Sequence, residues 1–334
     1  MNELSQKFDL LFSKIKTAQN ILIVSHVFPD VDAISSVGAI IEVARLLNKK
    51  YLALSFHKED LLMHYLPHEE FIHGDLPADF DFSNFDLIIA LDCGSLSRTG
   101  LENFIKNKKQ SQFIVEVDHH LKVDDYADLE IRLPEISSTA EVVFSFIKSQ
   151  KIKITKNLAN CLMAGILRDT GNFAYSSTTD TTIKIVSELI SRGAQFPKMM
   201  RNFSQNRDFN SLKLQGLALD NLRINKKYNI GVSVLTKEDI LAATGVDNLS
   251  EVNNEIFGEI VAFLSDLAGI KAMILLREED DNHLKINLRT ADNNVNVAKL
   301  AQIFSGGGHI KASGFLITGK IKKESPGWSF NFLD

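Results

Sequence analysis

The chain has 334 residues, 45% of them hydrophobic and 24% charged, with a net charge of −5. That is the balance of an ordinary globular protein, long enough for two domains. The negative balance argues against a platform for long nucleic acid, which needs a field of Lys and Arg, but it leaves room for short anionic substrates drawn in by bound cations.

The N-terminal "MNELSQKFDLLFSKIK" mixes acids and bases with apolar residues at helical spacing, unlike a signal peptide. No apolar run approaches the length that spans a bilayer. The two cysteines, Cys93 and Cys161, form neither a metal pair nor a disulfide framework, so a reduced, cytoplasmic protein is expected. "NILIV" (20–24) is a short apolar run rich in β-branched residues and reads as a buried parallel strand. A helix over 39–47 follows, then strand "YLALSF", strand "FDLIIALD", helix "LENFIKNKK" and strand "QFIVEVD". This rhythm predicts an α/β fold with a mostly parallel sheet flanked by helices on both faces. Helices are expected at "STAEVVFSFIKSQ", "KNLANCLMAGILRD" and "TDTTIKIVSELISRG". The reading places a first domain at 1–190, a helical linker at 191–225, and a smaller α/β domain with a mixed sheet at 226–334. In that last domain "YNIGVSVLT", "KAMILLRE" and "LKINLRT" read as strands and "EIFGEIVAFLSDL" as a helix, with the acidic "EEDDNH" as a hairpin turn.

The chemistry gathers where elements end. "VSHVFPDVDA" crowds His26, Asp30 and Asp32 directly after a strand, and neighbouring carboxylates repel unless a cation sits between them. "LIIALD" ends in Asp92. "FIVEVD" ends in Asp118, followed by His119 and His120, and an apolar helix ends in Asp169. Sites in parallel α/β sheets form outside the carboxyl ends of the strands, so these clusters are expected to converge. Carboxylate and imidazole without thiolate suit Mn²⁺, with Mg²⁺ or Co²⁺ as alternatives. Four aspartates, Asp30, Asp32, Asp92 and Asp169, balance two divalent ions. Such ions, about 3.5–4 Å apart, stabilise phosphoryl transfer, and Asp92 is the expected bridge. Gly306, Gly307 and Gly308 let backbone amides approach a phosphate or nucleotide edge, with His309 adjoining. His57, His64, His68 and His73 are read as surface residues, and Pro67 interrupts any helix that would align His64 with His68. Cys93 is read as packing and Trp328 as an anchor for the C-terminal strand.

At these residues the chain resembles the DHH phosphoesterase superfamily, named for the triplet that stands here as Asp118-His119-His120. "HVFPDVDA", "LDCGS" and "RDTGNF" are similar to its other ligand motifs, and "FSGGGHIKASGF" resembles the Gly-Gly-Gly-His motif of the DHHA1 domain. The resemblance runs from residue 26 to 315. It implies His26, Asp30 and Asp92 on one metal, and Asp32, Asp92, His119 and Asp169 on the other. His120 then faces the phosphate as donor or general acid, and Asp118 orients a histidine ligand. Arg289, Gly306, Gly307, Gly308 and His309 contact substrate, and water attacks with no covalent enzyme intermediate. Val31 and Ser35 stand where the family has glycines, and Asn287 and Thr290 replace the serines beside the arginine. At this length the pairing is similar to enzymes that degrade nano-RNA and dephosphorylate 3′-phosphoadenosine 5′-phosphate. Substrates of pApA type are implied, with cyclic di-AMP and polyphosphate or pyrophosphate as alternatives. A RecJ-like exonuclease would want an added OB-type domain and basic, aromatic-lined grooves. Family analogy also implies a homodimer.

Overall fold

In the first of two structural units, a six-stranded parallel sheet sets out the strand ends that carry the Asp and His clusters. The computed structural model describes residues 3–58, 63–205, 209–252, 255–324 and 327–332, and the units are 1–204 and 205–334. The first begins with α1 (Glu3–Thr17), β1 (Asn20–Ser25), α2 (Val31–Leu46), β2 (Lys50–Leu54) and β3 (Ile72–His73). It continues with β4 (Leu87–Leu91), α3 (Glu102–Lys106), β5 (Phe113–Asp118) and β6 (Leu129–Arg132), then α4 (Thr139–Ser149), α5 (Lys156–Asp169), α6 (Asp180–Ser191) and α7 (Phe196–Gln205).

The sheet order is β3-β2-β1-β4-β5-β6, with every pairing parallel. β1 is apolar from Ile21 to Val24 because both of its faces are covered. Ile21 and Ile23 pack with the core of α1, α2, α4 and α5, while Leu22 and Val24 pack with Leu101 and Ile105 around α3. The chain runs from β1 outward to β2 and β3, then returns to β4 on the other side of β1. The strand order therefore reverses between β1 and β4, and a crevice opens at their carboxyl ends. His26 and Asp92 each follow directly on one of these two strands.

The second unit holds α8 (Phe209–Asp220), β7 (Arg223–Asn225), β8 (Ile230–Leu235), α9 (Lys237–Thr244), α10 (Glu255–Ser265) and β9 (Ala272–Glu278). It closes with β10 (His283–Arg289), α11 (Val297–Ile303), β11 (Gly307–Gly308), β12 (Ala312–Glu324) and β13 (Gly327–Phe332). Its seven-stranded sheet is mixed: β8 and β9 run parallel and the other pairs antiparallel. One face packs Met273 and Leu275 against α10. The other packs Leu284, Ile286, Leu288 and Phe315 against α11, with Trp328 alongside. The two helices of the 191–225 stretch serve different cores: α7 adds Met199 to the first, and α8 adds Leu214 and Ala218 to the second. No helix among the described residues is long and apolar enough to cross a membrane.

One expectation is corrected. His57, His64 and His73 are exposed, but His68 is buried at 6% exposure. The residue follows Pro67 in left-handed backbone, φ 69°, which turns its ring inward. There Nε2 meets the Glu42 carboxylate at 2.5 Å, and Glu42 also accepts from the Thr155 hydroxyl at 2.5 Å. Removing one member strands buried polar partners. His68→Ala is therefore expected to lose about 1–3 kcal/mol in urea unfolding, whereas His64→Ala should stay within about 0.5 kcal/mol of the parent. Equal effects would contradict the burial of His68.

Candidate metal centre

Side chains from four parts of the first unit meet at the crevice. His26, Asp30 and Asp92 form one group whose ligand atoms lie within 4.8 Å of one another, and Asp32, His119 and Asp169 form a second. Asp92 faces both. Its Oδ2 lies 3.9 Å from His26 Nε2, and its Oδ1 lies 3.6 Å from His119 Nε2. His119 Nε2 is also 3.2 Å from Asp169 Oδ2. Asp92 holds left-handed backbone, φ 61°, which turns it off the end of β4 into the crevice.

The local fold aims these groups. Asp30 caps α2, accepting from the Ala33 N–H at 3.0 Å. Asp32, the second residue of α2, is fully buried and accepts from Thr139 N–H at 2.7 Å and Ala140 N–H at 3.0 Å, at the positive N-terminus of α4. The Thr139 hydroxyl donates to Asp92 Oδ1 at 2.8 Å. His26 Nδ1 sits 2.9 Å from the Val27 carbonyl, and His119 Nδ1 sits 3.3 Å from the Ile136 carbonyl. A carbonyl only accepts, so each Nδ1 carries a proton and each Nε2 is left to face a cation. Gly165 lets α5 approach: a Cβ there would stand 2.3 Å from Asp32 Oδ1 and 2.7 Å from the Ala140 methyl.

Asp118 accepts from both the backbone N–H and the Nδ1 of His120, at 2.7 and 2.8 Å. The ring it orients is thus the one expected to face phosphate, rather than a ligand histidine. Arg132 backs this pair, donating to the His120 carbonyl at 2.9 Å and pairing with Glu116 at 2.7 Å. Thr139, Ala140, Gly165 and Arg132 escaped the sequence reading. The "SSTAE" that starts α4 is a capping pattern, but it does not reveal what the freed amides hold.

The electrostatics describe a pocket with too much negative charge. Burial, and then Asp169 and Asp92, push the Asp32 carboxyl well up. Burial also raises Asp169, against the bond from His119. Burial opposes the charge on His119, but Asp169, Asp92 and Asp32 outweigh it and push the imidazole well up. Burial opposes ionisation of Asp92, yet the bond from His120 and the charges of His120, His119 and His26 hold it below the ordinary carboxylate range. His120 is pushed up to about 9: Asp118 and Asp92 overcome its burial, so the ring is charged at neutral pH. Burial and the neighbouring acids raise Cys93, which stays a neutral thiol. Crowded oxygen and imidazole donors of this kind fit divalent metal ions well.

In the second unit, Arg289 ends β10 opposite Ala312 of β12. β11 and β12 form a hairpin, closed by His309 N–H donating to Ala312 O at 2.7 Å. A Cβ on Gly306 or Gly308 would meet β12 backbone atoms within 3 Å, whereas Gly307 has nothing within 4 Å. Gly306 and Gly308 are thus required by packing, and Gly307 faces open space. Thr290 is committed to the fold, donating to Lys271 O at 2.5 Å.

Gly165→Ala is expected to displace Asp32 and weaken Mn²⁺ binding about 10–100-fold in calorimetry, with the circular dichroism of the fold kept; undiminished affinity would contradict the packing. Binding a cation displaces the proton on the raised His119 imidazole and any proton held by the raised Asp32 and Asp169 carboxyls. Mn²⁺ should therefore raise Tm more at pH 8 than at pH 6, and an equal or reversed increment would count against these ligands.

Residues 20–166 match the DHH family, N-terminal domain, and residues 239–325 match the DHHA1 domain. A Streptococcus mutans protein named probable bifunctional oligoribonuclease and PAP phosphatase NrnA is 28% identical, over 92% of this chain and 92% of its own. The Bacillus subtilis bifunctional oligoribonuclease and PAP phosphatase NrnA is also 28% identical, over 91% of each chain. The crystal structure of an exopolyphosphatase-related protein from Bacteroides fragilis superposes with a TM-score of 0.81 at 27% identity, covering 94% of this chain and 92% of that one. With both domains matched in order and a carboxylate–histidine centre at the strand ends, the chain belongs to the DHH/DHHA1 family of metal-dependent phosphoesterases.

Proposed function

We propose that this chain is a two-metal, Mn²⁺-dependent phosphodiesterase that hydrolyses short 5′-phosphorylated oligoribonucleotides of the pApA type to nucleoside 5′-monophosphates, and that 3′-phosphoadenosine 5′-phosphate is a further substrate. The observation that carries it is Asp92, with one carboxylate oxygen toward His26 and the other toward His119. His26, Asp30 and Asp92 would hold one ion, and Asp32, Asp92, His119 and Asp169 the other. Bound divalent cations supply a nucleophile at neutral pH and neutralise charge on the transferring phosphoryl group. The chain's own part is orientation and proton handling. Asp118 fixes the His120 ring, and the charged ring donates to a phosphoryl oxygen or protonates the leaving oxygen. In the second unit, Arg289 offers a planar fork for a terminal phosphate, and the Gly307 amide, flanked by Gly306, Gly308 and His309, offers close backbone approach.

The substrate class is supported by the names of the two NrnA relatives and by the chain's own charge. A net charge of −5 leaves the metal centre as the local attraction for an anion, which suits a few nucleotides better than a long strand. The test is a panel of pApA, cyclic di-AMP, 3′-phosphoadenosine 5′-phosphate, a pentaribonucleotide and polyphosphate, each with Mn²⁺ and with chelator, followed by chromatography. Mononucleotide from pApA and from the pentamer is expected, and chelator should abolish it. Orthophosphate from polyphosphate without mononucleotide from pApA would refute the substrate class. Asp92→Ala should lower turnover at least about 10³-fold; near-parental turnover would refute the shared carboxylate.

A further inference from the structure

Between His26 and Asp30 stands a residue that the metal centre does not use. Phe28 is 64% exposed and lies in left-handed backbone, φ 52°. A bulky side chain there is an outlier, and the position before Pro29 narrows its conformations further. The surroundings impose this geometry. Phe28 N–H donates to the Phe56 carbonyl at 3.0 Å, and Val27 N–H donates to the Arg98 carbonyl at 2.8 Å. The loops that follow β1 and β2 are thereby tied together. His57, next to Phe56, is also left-handed, φ 63°, and exposed. Its ring stacks on Phe28 with centroids 4.3 Å apart and planes 8° from parallel. Two solvent-facing rings, locked in costly backbone, contribute nothing to the core. Such strain persists at ligand sites where the surrounding structure over-determines it.

We propose that the Phe28–His57 stack is a base-binding subsite, against which a nucleobase of the substrate lies while its phosphoryl group sits at the ligands two residues to either side of Phe28. This deepens, and rests on, the reading of the substrate as a short oligonucleotide. A ring face accepts any base because every base has a π-face, so the subsite would be tolerant of sequence. It would also let a chain without a basic field hold a nucleotide by stacking rather than by charge.

The test compares hydrolysis of pApA with that of an analogue in which both adenines are replaced by hydrogen. The proteins are the parent, Phe28→Ala, Phe28→Trp and His57→Ala, with Mn²⁺ affinity measured by calorimetry for each. Phe28→Ala is expected to lose about tenfold in kcat/KM on pApA, mainly through KM, and to narrow the parent's preference for pApA over the base-free analogue by the same factor. Phe28→Trp should restore that preference, and His57→Ala should lower it in the same sense. If Phe28→Ala loosens the ligand loop, a fall in Mn²⁺ affinity reveals it, and His57→Ala then decides the comparison. Equal losses on both substrates, or none, overturn the subsite. A parent that leaves pApA intact overturns the substrate reading itself, and the subsite with it.

Discussion

One buried carboxylate turns two groups of side chains into one centre. Asp92 presents a different oxygen to His26 and to His119 and receives the Thr139 hydroxyl from behind. Around it crowd Asp30, Asp32, Asp118 and Asp169, more acid than a dry crevice tolerates without compensation. The raised imidazoles of His119 and His120 supply part of it. Divalent cations supply the rest, and they can do so only because the donors already point inward.

That aim is a property of the fold. Reversal of strand order between β1 and β4 opens the sheet's edge where His26 and Asp92 emerge. The N-termini of two helices meet the site: α2 is capped by Asp30, and α4 spends its first amides on Asp32. α5 brings Asp169 in at its last residue and comes close enough only because position 165 lacks a Cβ. Arg132, from β6, completes the support by holding His120 through its carbonyl. Chemistry and scaffold are hard to separate here, since Asp30, a candidate ligand, is also the cap of α2.

Much of this was legible in the chain itself. Largely apolar runs such as "NILIV" and "FIVEV" announce strands covered on both faces, and Asp or His at their ends marks the edge where sites form. The supports were not legible because they join residues far apart in sequence. The bond from Thr139 to Asp32 spans 107 positions, and nothing local in "MAGIL" says that Gly165 faces an aspartate. His68 misled for a related reason: Pro67 correctly broke the helix, but the left-handed turn after it sent the ring to Glu42 instead of to solvent. In the second unit nothing local in the glycine run says that Gly307 and Gly308 form one strand of a hairpin, with β12 lying against Gly306 and Gly308.

The most direct measurement is anomalous diffraction at the manganese edge from crystals grown with Mn²⁺. Two peaks about 3.5–4 Å apart, with Asp92 between them, His26 and Asp30 on one, and Asp32, His119 and Asp169 on the other, are the expected result. A single peak, or a pair that leaves Asp92 out, would contradict the shared carboxylate on which the rest depends.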